Sequence, residues 1–454
     1  MSRTFRLVKV GIVLAMVVLL PVGVAPVVAN EEDDSLVALG EALFLDPALS
    51  VNGKQSCASC HAPEVGFTGP DSAVNAGGAV YQGALERRFG NRRPPTSTYA
   101  GQSPQLHYEL ELGEWAGGMF WDGRATGHVL GDALVEQAQG PFLNPLEQAL
   151  PNARLLAVRV ANSDYADLFE RVWRPGSIDV ANDVDGTFER IARSIAAYEE
   201  SPEVNPYSSK FDLFWDNATA AGRDVTRIKS SGGMGGGMGG GGMGGGGMDP
   251  DRWQTYRGLG LTDTELLGLA AFNDPNRANC AACHTLTPGE DGYPLLTNFG
   301  YHNIGVPKNP DNPFYDMPKA WNPDGTAWVD EGLGGYLRSA GYPAEVFGPE
   351  IGKFKVPTLR NVDLRPSEDV VKAYGHNGFF KSLDDIVLFY HWRAMMDSGM
   401  CGGMGGGMGC EGMATMFPSP EVDQNRAAMG MFPRMDTGNI VAFLRTLSDG
   451  YFER

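Results

Sequence analysis

Apolar residues along this chain recur at three- and four-residue intervals far more often than at alternate positions, which argues for helices over strands. The spacing predicts helical segments within residues 155–160, 188–198, 266–272 and 440–447. Thr262 followed by Glu265 reads as a capping box opening the third of these. Ser382 precedes an apolar set at Leu383, Ile386, Phe389 and Tyr390 that suits another helix. A mostly α fold is therefore expected. At the start, Arg3, Arg6 and Lys9 lead into an apolar run over residues 10–25 that ends in Val27-Val28-Ala29. The run is short for a membrane span and the ending suits cleavage, so residues 1–29 read as a signal peptide.

The pattern gives out in two places. Residues 230–248 are glycine with Met234, Met238, Met243 and Met248, and cannot supply a core. Residues 395–435 carry Cys401, Met404, Met408, Cys410, Met413 and Met416 among glycines. The expected organisation is a first domain over 30–220, an insertion over 221–260, and a second domain over 261–454 interrupted at 395–435. Thioethers and thiolates are soft donors, so these exported Met-rich loops suit Cu(I); the alternative is a disordered loop with Cys401 and Cys410 paired as a disulfide.

Charge changes the picture only by exclusion. The 454-residue chain has a net charge of −19, which becomes −22 once the three basic residues of the leader are gone. Nucleic acid is excluded as a partner class, and a basic redox partner suits the acidic surface.

Chemistry enters with Cys57-Ala58-Ser59-Cys60-His61, repeated 223 residues later as Cys280-Ala281-Ala282-Cys283-His284. In Cys-x-x-Cys-His the thiols can bond to the two vinyl groups of a haem while the histidine ligates iron. A thioredoxin-like dithiol or one zinc site shared by both pairs would not need a histidine after each second cysteine. Two covalently bound c-type haems are expected, one per half, and such attachment is completed outside the cytoplasm, in agreement with the leader. Between His61 and Met119 the only histidine is His107 and there is no methionine. The first iron is thus short of a sixth ligand and open to peroxide; the alternative is a closed electron-transfer haem ligated from elsewhere in the chain.

Phe120-Trp121-Asp122-Gly123-Arg124-Ala125, Glu136-Gln137-Ala138, Gly140-Pro141 and Asn144-Pro145-Leu146-Glu147 follow at fixed spacing. In the second half stand residues 299–305 (FGYHNIG), 352–361 (GKFKVPTLRN) and the closing stretch 440–447. Together these motifs resemble the diheme cytochrome c peroxidase and MauG superfamily over nearly the whole chain outside the two insertions. The resemblance implies two packed cytochrome domains with Trp121 as a relay between the haems. It implies Gln137, Pro141 and Glu147 at the distal face of the first haem, with Glu147 moving a peroxide proton. A carboxylate in an apolar pocket can do this; read alone, Glu147 is better taken as a first-turn helix carboxylate and Trp121 as a core aromatic, and it is the full pattern that favours function.

In the peroxidases the sixth ligand of the second haem is a methionine fourteen residues after the histidine of Tyr-x-His-x-Gly. Here that motif is Tyr374-Gly375-His376-Asn377-Gly378, and the count lands on Tyr390. His61, His284 and Tyr390 are then the iron ligands, as in the MauG-type enzymes, with His391, Met395 and Met396 as the competing donors to the second iron. The family's interdomain calcium takes an Asn from Arg-Asn-x-Pro and two carbonyls. This chain has Arg92-Arg93-Pro94-Pro95 with Val371 and Ala373, and arginine cannot ligate a cation. Calcium thus rests on Asn91 as a stand-in. The resemblance implies a periplasmic or cell-surface enzyme that uses hydrogen peroxide to form high-valent haem iron and oxidises Trp or Tyr of a partner protein. The rivals are a cytochrome c peroxidase fed by a small c-type cytochrome, and a non-catalytic electron-transfer or copper-handling surface protein.

Overall fold

The computed structural model describes residues 31–230, 249–399 and 408–453. The expected leader, Met234, Met238, Met243, Met248, Cys401, Met404 and the side chains of Met408 and Cys410 lie outside what is described. Among the described residues the chain is mostly helical, and no helix is long and apolar enough to cross a membrane.

In the first half, α1 (Glu31–Leu45), α2 (Ser72–Ala76), α3 (Ala133–Leu143), α4 (Ala153–Ala161), α5 (Ala166–Trp173) and α6 (Val184–Glu200) follow one another. In the second come α7 (Lys210–Ala220), α8 (Asp263–Asn273), α9 (Gly332–Ser339), α10 (Ala344–Phe347), α11 (Leu383–Asp397), α12 (Met408–Met416) and α13 (Met435–Arg445). Side-chain caps start most of the long ones: Asp132 takes the Leu134 and Val135 N–H groups, and Ser382 takes that of Asp385. The predicted capping box is present, with Thr262 and Glu265 each accepting from the other's backbone. The first three predicted helical segments fall in α4, α6 and α8, and the fourth, 440–447, starts in α13 and overruns its end at Arg445. Among the described residues, strand is confined to two antiparallel pairs. In one, β1 (His107–Glu109) meets β2 (Glu114–Ala116); in the other, β3 (Tyr301–His302) meets β4 (Phe354–Lys355), with Tyr301 opposite Lys355.

Two main cores result, with two smaller apolar clusters beside them. Leu39, Phe44, Phe142, Leu156, Phe169 and Ile195 fill the first, and Phe211, Phe214, Leu269, Phe272, Phe389 and Phe443 the second. Each such side chain contributes about 1.5–3 kcal/mol by leaving water. Both cores are built on the same device, an early helix laid directly across a late one at a glycine. A Cβ on Gly40 of α1 would stand 1.9 Å from the Ser194 carbonyl of α6, and one on Gly268 of α8 would stand 1.9 Å from the Asn439 carbonyl of α13. Any larger residue would push the helices apart.

The domain boundaries differ from the sequence reading in one respect. Helix α7, expected to close the first domain, buries Phe211, Phe214 and Trp215 in the second core. The ends of the expected insertions are packed there too: Val225, Ile228, Trp253 and Tyr256 on one side, Phe417 and Phe432 on the other. The reason is a strip of buried aromatics that flanks each glycine run, a pattern too short for periodicity to detect.

Candidate functional site

The two Cys-x-x-Cys-His runs fold alike. Each begins with one turn of 3-10 helix, Cys57–Ser59 and Cys280–Ala282. The second cysteine's N–H donates to the first cysteine's carbonyl at 3.1 and 3.2 Å, and the histidine's N–H to the same carbonyl at 2.9 Å in both copies. Both sulfurs and the imidazole thereby line one cavity in each half. His61 Nδ1 lies 3.1 Å from the Phe67 carbonyl and His284 Nδ1 2.9 Å from that of Leu296. A ring donating from Nδ1 keeps its lone pair on Nε2. Burial lowers both histidine pKa values, that of His284 to about 4, so the rings are neutral.

Burial also pushes the thiols up, Cys60 and Cys280 to about 12 and Cys283 to about 11, with Cys57 higher still. These are not the reactive thiolates of a dithiol redox centre. The described residues hold no group of three His, Cys, Asp or Glu side chains placed to bind a metal ion, so a shared zinc site has no ligand set. Two neutral thiols and one neutral imidazole on the wall of a large, mainly apolar cavity do fit a c-type haem, in both halves.

Gln137, Pro141 and Glu147 line the first cavity with Cys57, Cys60, His61 and Trp121. Pro141 sits in the last turn of α3, where its missing N–H breaks the helix, and the chain turns back so that Gln148 N–H reaches the Pro141 carbonyl at 3.1 Å. Within that turn the Asn144 amide donates to Glu147 Oε1 at 2.8 Å and its own Oδ1 accepts the Leu146 N–H at 3.0 Å, which fixes the carboxyl group. Burial raises the pKa of Glu147, against the opposing pull of Arg124 and the Asn144 bond. Of the histidines, only His61 lines this cavity; His107 is exposed on β1, its Nδ1 2.9 Å from the Gln105 carbonyl. Met119 lines it, with its sulfur 3.6 Å from Lys355 Nζ.

Tyr390 of α11 lines the second cavity with Cys280, Cys283 and His284. Burial, with the two cysteines beside it, raises its phenol pKa. The competing donors are elsewhere: His391 Nδ1 is bonded to the Phe432 carbonyl at 2.7 Å, Met396 is exposed, and none of His391, Met395 and Met396 lines the cavity.

Trp121 lines both cavities. Its Nε1 donates to the Arg93 carbonyl at 2.9 Å, the Arg93 guanidinium stands 5.6 Å from its ring centroid, and the Lys355 N–H donates to its carbonyl at 2.9 Å. The next residue, Asp122, pairs with Arg92 at 2.6 Å and Arg124 at 3.0 Å; burial alone would raise its pKa, but the two cations hold it low. The sequence gives no site role to three residues in these walls. Glu199 lines the first cavity, with its pKa raised by burial to about 8. Its signal was position, since it follows Ile191 and Ile195 along the buried stripe of α6. His376 lies in the second cavity, stacked 3.5 Å from Phe354, and Lys355 lines the same cavity, its ammonium lowered by burial to about 7.

Of the expected calcium donors, Asn91 lines the first cavity and the Val371 carbonyl already accepts a hydrogen bond. Arg93 stands in the family's Asn position and donates to the carbonyls of Gly375 and Pro94, both at 3.2 Å. The Val371 carbonyl accepts from Asn75 at 2.9 Å, and between it and Ala373 the Lys372 ammonium reaches the carbonyls of Val65, Asn361 and Leu364 at 2.8–3.1 Å. The cationic side chains of Arg93 and Lys372 thus stand in the expected place and oppose a calcium ion there.

The family description "Di-haem cytochrome c peroxidase" matches residues 34–220. The methylamine utilization protein MauG of Paracoccus denitrificans is 31% identical over 446 residues, 96% of this chain and 95% of that protein. The cytochrome c551 peroxidase of Nitrosomonas europaea is 33% identical over 78% of this chain and 72% of its own. The crystal structure of the diheme peroxidase BthA from Burkholderia thailandensis superposes with a TM-score of 0.63 at 27% identity, covering 92% of this chain and 87% of that one. With sequence likeness running from end to end and the helical architecture shared, the chain belongs to the diheme cytochrome c peroxidase and MauG family of haem oxidoreductases.

Proposed function

We propose that this protein is an exported enzyme that reduces hydrogen peroxide at the first cavity and spends the two oxidising equivalents on aromatic side chains of a partner protein. A haem bound through Cys57, Cys60 and His61, and another through Cys280, Cys283, His284 and Tyr390, would supply the redox chemistry that no side chain here can perform. The chain's own work is to move protons, exclude water and connect the two sites. Glu147, held by Asn144, takes the proton from the near oxygen of peroxide and returns it to the leaving one; Gln137 and Pro141 confine that oxygen pair. Trp121 carries electrons between the cavities, its indole N–H tied to Arg93 so that the ring stays in place.

The observation that carries the reading is the placement of Tyr390, an oxygen donor, in the second cavity while the thioethers of Met395 and Met396 stay outside it. An anionic oxygen ligand lowers a haem potential, which suits storing an oxidising equivalent and opposes accepting electrons from a high-potential cytochrome. The peroxidase reading is supported by the comparisons equally, through the family description, the 33% identity to a cytochrome c551 peroxidase and the fold shared with the diheme peroxidase BthA. The test treats the oxidised holoprotein with hydrogen peroxide alongside the neighbouring gene's product and looks for oxidised Trp or Tyr by mass spectrometry. Fast turnover of reduced cytochrome c with the partner unmodified would decide for the peroxidase.

A further inference from the structure

Three tyrosines run from the space beside Trp121 toward solvent. Tyr99 lines a small cavity together with Trp121 and Phe299. The Tyr99 ring is 4.8 Å from that of Tyr207, and Tyr207 is 5.0 Å from Tyr293, stacked at 27°. Tyr99 and Tyr207 are buried, Tyr293 is half-buried, and Asp291 next to it is exposed. Every phenol in the row donates to a carboxylate of its own: Tyr99 to Asp449 Oδ2 at 2.7 Å, Tyr207 to Asp291 Oδ2 at 2.9 Å, and Tyr293 to Asp216 Oδ1 at 2.6 Å.

Packing accounts for stacked tyrosines, and a buried phenol needs a hydrogen-bond partner. Neither accounts for an anionic acceptor at each successive ring. Removing an electron from a phenol makes its proton strongly acidic, so a carboxylate at hydrogen-bond distance lets electron and proton leave together. The pairing also suits the surroundings, because the Arg360 guanidinium, itself paired with Asp212 at 2.9 Å, stands 4.7 Å from the Tyr99 centroid and 4.5 Å from that of Tyr207. A cation at that distance opposes positive charge on either ring. A path that leaves each ring neutral avoids that cost.

We infer that Tyr99, Tyr207 and Tyr293 conduct oxidising equivalents from Trp121 to the surface, where the partner's aromatic side chain supplies the electron to Tyr293. This rests on the peroxide reading above. In each hop one electron passes to the oxidised neighbour on the Trp121 side, the O–H bond breaks, and its proton moves to the paired aspartate, leaving a neutral phenoxyl and a carboxylic acid. The proton returns when the next electron arrives. Hydrogen peroxide is the terminal oxidant, each molecule taking two electrons and two protons to give two waters.

The test adds peroxide to the holoprotein without a partner in the presence of a nitrone spin trap, then maps adducts by peptide mass spectrometry while the haem bands are followed. The wild type should be labelled at Tyr293. Tyr207→Phe keeps the ring but not the proton, and should abolish that label with the haem spectral change on peroxide intact; Asp216→Asn should lower it by about tenfold or more. Labelling elsewhere with Tyr293 clean, or a Tyr293 label indifferent to Tyr207→Phe, overturns the path alone. No haem spectral change with peroxide overturns the peroxide reading and the path with it.

Discussion

Arg360→Met is the substitution whose cost the structure defines best. Both side chains of the Arg360–Asp212 pair are 0% exposed, and two nitrogens meet two oxygens at 2.9 and 3.1 Å. The guanidinium also donates from Nε to the Pro294 carbonyl at 2.8 Å. Methionine keeps much of the volume and removes the charge. Orphaning one member of a buried pair typically costs about 3–5 kcal/mol. Asp212 would retain the Ser209 N–H at 2.9 Å and the Ser209 hydroxyl at 2.6 Å, which places it near the lower end. The Pro294 carbonyl, left without a donor, adds about 1 kcal/mol. The expected loss is about 4 kcal/mol, a large part of the roughly 5–15 kcal/mol that holds a protein folded. Asp212→Asn on the Arg360→Met background removes the lone charge and should recover about half. Guanidinium unfolding of the holoprotein at pH 7, followed by circular dichroism, measures both. A loss under about 1 kcal/mol for the single variant, or a double variant no more stable than the single, would refute the reasoning.

Glu147→Gln should slow the reaction with peroxide by about 10²- to 10⁴-fold while leaving the haem spectra in place; stopped-flow absorbance reads this, and an unchanged rate returns Glu147 to a structural role. Glu199 has a higher pKa folded, about 8, than the 4.5 of an ordinary glutamate, so the folded state binds the extra proton. Its contribution to stability is complete below 4.5 and is lost as pH rises through 8, at about 1.4 kcal/mol per pH unit between. Glu199→Gln should therefore match the wild type at low pH and exceed it at pH 8 in urea unfolding; parallel pH profiles for the two would contradict this. Chelation by EDTA should leave the melting temperature unchanged, because the cationic Arg93 and Lys372 oppose a calcium ion beside the expected carbonyls; a drop reversed by added Ca²⁺ would show an ion bound after all.

The parts of this molecule legible in its sequence are those whose chemistry is local. Cys57 to His61 and Cys280 to His284 announce themselves by spacing, and α8 by Thr262 and Glu265, since a cap involves residues three apart. The stretch from Gln137 to Glu147 is legible as a motif because one helix end and one turn hold all of it. What sequence conceals is pairing over distance. Nothing around Asp212 indicates a partner at Arg360, and nothing around Lys372 points to the Val65 carbonyl 307 residues away. The membership of α7 in the second core is hidden for the same reason, as its apolar face would serve either half.

That membership has a consequence for assembly. The first core is complete at Val204, and every residue in it is contributed by the chain up to that point. The second is closed by a clasp between distant segments, where the Phe211 N–H meets the Thr446 carbonyl at 3.0 Å and α8 lies under α13 at Gly268. A chain made or threaded through a membrane N-terminus first can thus finish its first half while the second stays an open cradle around Cys280 and Cys283 until the last helix arrives. With a haem in each half, delivery to the two would be separated in time by the order in which the polypeptide emerges, and loss of α13 would strand the second cradle while leaving the first core whole.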